Sequence, residues 1–138
     1  MNDIILNKKE SIERCIKQIR NYYEIPSDKS LEEDYLRQDA IAINIQRACE
    51  QTIDLANWVI KNWKLGLPKE SKEVFLLLAK ENIISKKLAD KLQGMVGFRN
   101  ILVHQYQDVD IDIMILVIEK HLDDLIEFTN AVMEFVKK

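Results

Sequence analysis

Apolar residues recur along this chain at spacings of three and four, the period of one face of an α-helix, and they do so in five separate runs. The first spans about residues 3–23, with Ile5, Ile12, Ile16, Ile19 and Tyr23 on one side. The stretch "IPSDKSLEE" interrupts it, and Ser30 and Glu33 in that stretch have the spacing of a capping box for the next helix. That second helix is long, reaching about Trp63. Its apolar residues (Ile41, Ile45, Ala48, Cys49, Leu55, Ala56 and Val59) spread over a wide arc, as suits a central helix touching several neighbours. "KLGLP" ends it through Gly66 and Pro68. "SKEVFLLLAKEN" predicts a short third helix, and a fourth begins near Ser85. The fifth starts near Asp110 and carries Ile111, Ile115, Ile118, Leu122, Leu125, Thr129, Val132 and Val136. Those spacings alternate four and three without a slip, which is the seam of a helix packed nearly antiparallel in a bundle. No strand-like alternation, internal repeat or low-complexity tract appears. The pattern predicts an all-α, antiparallel up-and-down bundle of four to five helices that occupies residues 1–138 as one domain.

Composition narrows what such a bundle does. At 138 residues the chain is long enough to bury a proper core, and 47% hydrophobic with 31% charged residues is ordinary for a globular protein. A net charge of −3 excludes a strongly basic nucleic-acid binder, though it leaves room for a small local phosphate site. "MNDIILNKKE" turns charged after three apolar residues, unlike a secretory leader, and no apolar run approaches the ~20 residues that span a bilayer. Cys15 and Cys49 stand in separate helices with no C-x-x-C pattern, as expected of reduced, buried thiols in a cytoplasmic protein with no membrane association.

The candidate chemistry lies in "GMVGFRNILVHQY", residues 94–106. Ile84, Leu88, Leu92, Met95 and Val96 form one helical stripe. The same count places Arg99 on it, followed by Leu102 and Val103. A buried ion without a partner costs several kcal/mol, so Arg99 calls for an anion, a partner chain or a water-filled cleft. Gly94 and Gly97 each cost up to ~1 kcal/mol inside a helix. They point to a close backbone approach, in an intrachain contact or equally in a dimer interface.

Residues five apart on a helix differ by about 140° in direction, so Arg99 and His104 do not share a face. Asn100 and His104, four apart, do, and the Asn100 amide is placed to orient the imidazole. For Arg99 and His104 to act on one atom, either the helix ends between them or the two groups come from different chains. Tyr106 points with His104 only if the chain there is extended, with Asp108 or Asp110 capping the next helix. An arginine to hold phosphate and a histidine to move a proton suit phosphodiester cleavage. No carboxylate or cysteine stands at metal-ligand spacing from His104, and His121 lies a helix away, so neither metal nor cofactor is expected. One well-placed histidine per chain suggests a homodimeric site.

The string "MVGFRNILVHQY" resembles the HEPN proteins and, among them, the HepT toxins encoded beside a minimal nucleotidyltransferase of the MNT type. Arg99, Asn100, His104 and Tyr106 match the family motif in full, and "RQDAIAINIQRACEQTIDLANWVI" and "SKEVFLLLAKENIISKKLADKLQ" resemble its flanking helices. The resemblance implies a dimer in which Arg and His of both copies line one cleft. It also implies a metal-independent endoribonuclease, in which the RNA 2′-OH attacks the adjacent phosphate to leave a 2′,3′-cyclic end. On that template His104 is base or acid, Arg99 stabilises the phosphorane and Asn100 orients the histidine; transfer RNA is one candidate substrate. The cognate nucleotidyltransferase antitoxin would silence the toxin by transferring AMP to Tyr106. Lys86, Lys87 and Lys91 extend a basic track toward the motif, although such a run is ordinarily a solvated face. Two other readings compete. One is a non-catalytic HEPN module that binds and positions a nucleotidyltransferase. The other is a plain bundle in which Arg99 pairs with Asp39 or Glu50.

Overall fold

The computed structural model describes residues 3–138. Helix α1 (Asp3–Glu24) buries Ile5, Ile12, Cys15, Ile16 and Ile19 against the long α2 (Tyr35–Trp63), and polar contacts at both ends of the pair show that they run antiparallel. Near one end Lys8 reaches Gln51 and Asp54; near the other, Arg37 donates to the carbonyls of Tyr22 and Tyr23. Helix α6 (Leu122–Lys137) lies against α1 in the same antiparallel sense, since Lys9 meets Asn130 and Arg20 meets Asp123. Helix α4 (Lys86–His104) packs on α2, α3 (Glu73–Lys80) and α6. Thus α2 sits at the centre, with α1, α3, α4 and α6 all touching it, as its wide apolar arc requires.

One continuous core joins these helices, including Ile41, Ile45, Leu55 and Val59 of α2, Phe75 of α3, Leu92 of α4 and Phe128 of α6. Phe75 and Phe128 meet edge to face at 5.5 Å, the geometry that sets a positive ring edge on a negative face. Among the described residues there is no strand, and no helix is long and apolar enough to cross a membrane.

Three local expectations shift. Ser30 does bond Glu33 (3.3 Å), but that pair opens a single 3₁₀ turn, Leu31–Glu33, which tucks Leu31 into the core. Helix α2 starts after it, with Asp34 as the cap accepting from the Arg37 backbone N–H at 3.1 Å. The last helical run does not keep an unbroken seam. Helix α5 (Ile111–Leu116), capped by Asp110, passes through a π turn (Val117–His121) before α6. The wider turn rotates the face by inserting residues. Met114 is consequently fully buried while Ile111 and Ile115 are only half-buried, and the expected seam resumes at Leu122, Leu125, Thr129 and Val132. On α4 the stripe holds through Leu102, but Val103 is 42% exposed, because the helix is leaving the core by its last turn.

Candidate active site

Ser85 starts the helix that carries the site: its hydroxyl accepts from the Leu88 N–H at 3.0 Å, satisfying a donor that has no partner within the helix. The helix then runs unbroken through Arg99, Asn100 and His104, and the backbone turns aside only at Gln105. Of the two ways for Arg99 and His104 to act on one atom, a helix end between them is therefore closed. Their directions diverge as the spacing dictates.

Arg99 projects into the seam between α2 and α4, its side chain 17% exposed. Its terminal Nη1 lies 3.6 Å from Glu50 Oε2, an ion pair longer than a hydrogen bond, and its Nε is buried with no acceptor. The arginine thus has an internal acid, one of the two that a plain bundle would supply, but only a loose one. Beside it, Cys49 donates weakly to the Met95 carbonyl (3.9 Å). Burial pushes the Cys49 thiol up to about 12, outweighing the Arg99 charge that lowers it. Both cysteines are free and buried.

Asn100 is half-buried and His104 exposed. Among the described residues no hydrogen bond joins the two side chains, so the orienting contact expected at that spacing is not made in a single chain. Nor is the chain extended between His104 and Tyr106: Gln105 has ψ near 40°, and Tyr106 begins a 3₁₀ turn, Tyr106–Asp108. That turn swings the Tyr106 ring back across the seam to α2, where its hydroxyl donates to Asp39 Oδ1 at 2.5 Å. Burial first, and the hydrogen bond and charge of Asp39 next, hold the phenol above its ordinary range. Asp39, expected as a partner for Arg99, is instead the partner of Tyr106. Nothing local signals this contact: 67 residues separate the pair, and only the packing of α4 on α2 brings them together.

The two glycines have no intrachain explanation. A side chain at Gly94 would meet nothing within 4 Å, and one at Gly97 would meet only the flexible end of Lys72 at 3.5 Å. No backbone within the chain approaches either. Of the basic residues upstream, Lys86 is held by Asp90 (2.6 Å) and Lys91 lies 3.8 Å from Asp124, which also bonds His121 (2.9 Å). Those two lysines therefore belong to local ion pairs. Among the described residues, no three His, Cys, Asp or Glu side chains are grouped as a metal would need.

Comparison with known proteins turns this geometry into a family assignment. The family model described as Ribonuclease HepT-like matches residues 12–132. The chain belongs to the HepT-like ribonucleases. It is 43% identical over 132 residues to the mRNA nuclease HepT of Shewanella oneidensis, covering 96% of this chain and 98% of that one. It is 28% identical over 110 residues to the tRNA nuclease HepT of Aphanizomenon flos-aquae, covering 78% and 72%. The fold matches that of the tri-AMPylated Shewanella oneidensis HEPN toxin solved in complex with its MNT antitoxin. There the TM-score is 0.90 at 42% identity, over 97% of this chain and 99% of the other. The HepT resemblance drawn from residues 95–106 is thereby established, and the chain is an endoribonuclease of the toxin–antitoxin type. The reading as a catalytically silent interaction module gives way to it.

Proposed function

We propose that this HepT-like ribonuclease cuts RNA at a site shared by two copies, with His104 moving the proton and Arg99 bracing the phosphorane. The observation that carries the reading is the unbroken α4, which sends Arg99 into the seam and His104 to the outside. A second copy meeting the first across the open surface at Gly94 brings the Arg99 of one chain toward the His104 of the other. It also supplies base and acid from two histidines. Attack by the 2′-OH needs only these groups, so cleavage proceeds without metal and leaves a 2′,3′-cyclic phosphate. Asn100, facing the same side as His104, orients the imidazole once the interface closes.

The relatives extend the reading to control. A tri-AMPylated toxin bound to an MNT antitoxin supports a cognate nucleotidyltransferase as the partner here and Tyr106 as the acceptor. AMP on Tyr106 adds a bulky anion to the proposed cleft, obstructing RNA phosphate by charge and by shape. The two HepT relatives are named for mRNA and tRNA, so RNA is the substrate class, cut in the cytoplasm.

The test is a cleavage assay on total RNA in EDTA, wild type beside His104→Ala, with product ends mapped. Cleavage by wild type alone, leaving cyclic phosphate ends, is the expected result. Equal cleavage by both proteins would remove His104 from the chemistry, and a requirement for added metal would remove the mechanism.

A further inference from the structure

We propose that Asp39 is the proton acceptor for modification of Tyr106: its carboxylate holds the phenol O–H and takes the proton as Oη attacks a nucleoside triphosphate. The inference rests on the reading of Tyr106 as the AMP acceptor and adds a residue of the toxin's own to that reaction.

The geometry is specific. Tyr106 Oη donates to Asp39 Oδ1, so the only proton that must leave during attack already points at a carboxylate oxygen. The two residues share a small recess of about 160 Å³ whose other walls are Ala42, Ile43, Gln46 and Leu102. Among those residues Asp39 and Tyr106 are the only titratable groups, and neither lysine nor arginine lines the recess. Among the described residues no cation lies within ion-pair distance of Asp39; Arg99 and Arg37 pair with Glu50 and Asp34 instead. Tyr106 as a residue retains 37% exposure, leaving it open to a second protein while its hydroxyl is held.

A phenol kept protonated is a weak nucleophile, and the surroundings of Tyr106 favour the protonated form. Transfer therefore needs a base within hydrogen-bond reach, and Asp39 is the one in contact. The step balances simply. Tyr106 Oη forms a bond to the α-phosphorus of ATP, the bond from that phosphorus to the β-phosphate oxygen breaks, and pyrophosphate leaves with its electron pair. The phenolic proton passes to Asp39 Oδ1 and from there to water. The product no longer has an O–H to donate, and its phosphodiester charge faces the Asp39 carboxylate. Hydrogen bond and attraction are both lost, so the modified ring leaves the recess.

The experiment follows incorporation of AMP from α-labelled ATP into the chain, in complex with its nucleotidyltransferase, across mildly acidic to mildly alkaline pH. Asp39→Asn still accepts the phenol hydrogen bond but cannot take its proton. The expected rate at neutral pH is about a hundredfold below wild type, the scale of one general base. It then climbs about tenfold per pH unit as solvent hydroxide takes over. Wild type is flat near neutrality, because its own carboxylate takes the proton and hydroxide is not needed. Asp39→Glu recovers part of the rate. Labelling of Asp39→Asn at the wild-type rate and pH profile overturns the proposal. Label that survives Tyr106→Phe strikes the acceptor reading itself, and the proposal falls with it for a distinguishable reason.

Discussion

Arg99 is under-satisfied within its own chain. A guanidinium offers five N–H donors; here one is sealed off without an acceptor and the nearest carboxylate, itself 40% exposed, stands at 3.6 Å. An unmet buried donor of a charged group costs about 1–3 kcal/mol, and a loose, solvent-screened pair returns little of that. The arginine therefore does not earn its place through stability. Arg99→Ala is expected to melt at or slightly above the wild-type temperature while RNA cleavage falls about 10²- to 10³-fold, the scale of losing one preorganised charge at a transition state. Thermal melting beside cleavage of a short RNA checks both halves. A sharp drop in melting temperature would instead mark Arg99 as a structural ion-pair residue held by Glu50. The charge mismatch at position 99 was legible in sequence. Which acid it meets, and how loosely, depends on the side-by-side setting of α2 and α4.

At the scale of the element, α4 departs from ordinary helix chemistry at its two glycines. Alanine is favoured over glycine by up to ~1 kcal/mol in a helix interior, and Gly94 faces open space in the chain. Gly94→Ala should therefore raise the urea midpoint of the dissociated chain by roughly that free energy. It should also weaken self-association, because the added methyl stands on the surface proposed for the partner. Equilibrium unfolding and sedimentation of the same variant separate the two effects; unchanged association would place the interface elsewhere. At the helix start, Ser85→Ala removes the cap on Leu88 and is expected to cost about 1 kcal/mol. The start of α4 and its apolar stripe were readable from residue spacing, since caps and periodicity are local. The π turn between α5 and α6 was not. An unbroken four-three pattern cannot reveal that Met114 is drawn into the core and that the helix must widen to bring Leu122 back into phase.

For the whole molecule, the resolved shifts of titratable groups run one way. Burial raises Cys49 from 9.0 to about 12 and raises Cys15; Tyr106 is raised by burial and then Asp39, and Tyr23 by its hydrogen bond to Glu119 and then burial. In each case the folded protein holds its proton to higher pH than the unfolded chain. The stabilisation is complete below the unfolded values, 9.0 for the thiols and 10.0 for the phenols. It is lost as pH rises through the folded ones, because the unfolded state then binds fewer protons. Urea midpoints should hold steady to about pH 9 and decline beyond it, and Tyr106→Phe should make the decline shallower. A midpoint rising with pH in that range would contradict the burial of these groups.

What the sequence determined by itself is what short-range chemistry controls. Helix period, caps and breaks placed the elements, and the full Arg99–Asn100–His104–Tyr106 motif identified the family, because each signal lies within a few residues of chain. Tertiary structure alone decided where those side chains go. It set Glu50 against Arg99, turned Tyr106 away from His104 onto Asp39, and left Gly94 facing open space. Each of those facts depends on how α2 and α4 lie against one another. That register comes from packing the whole core, which no local pattern encodes.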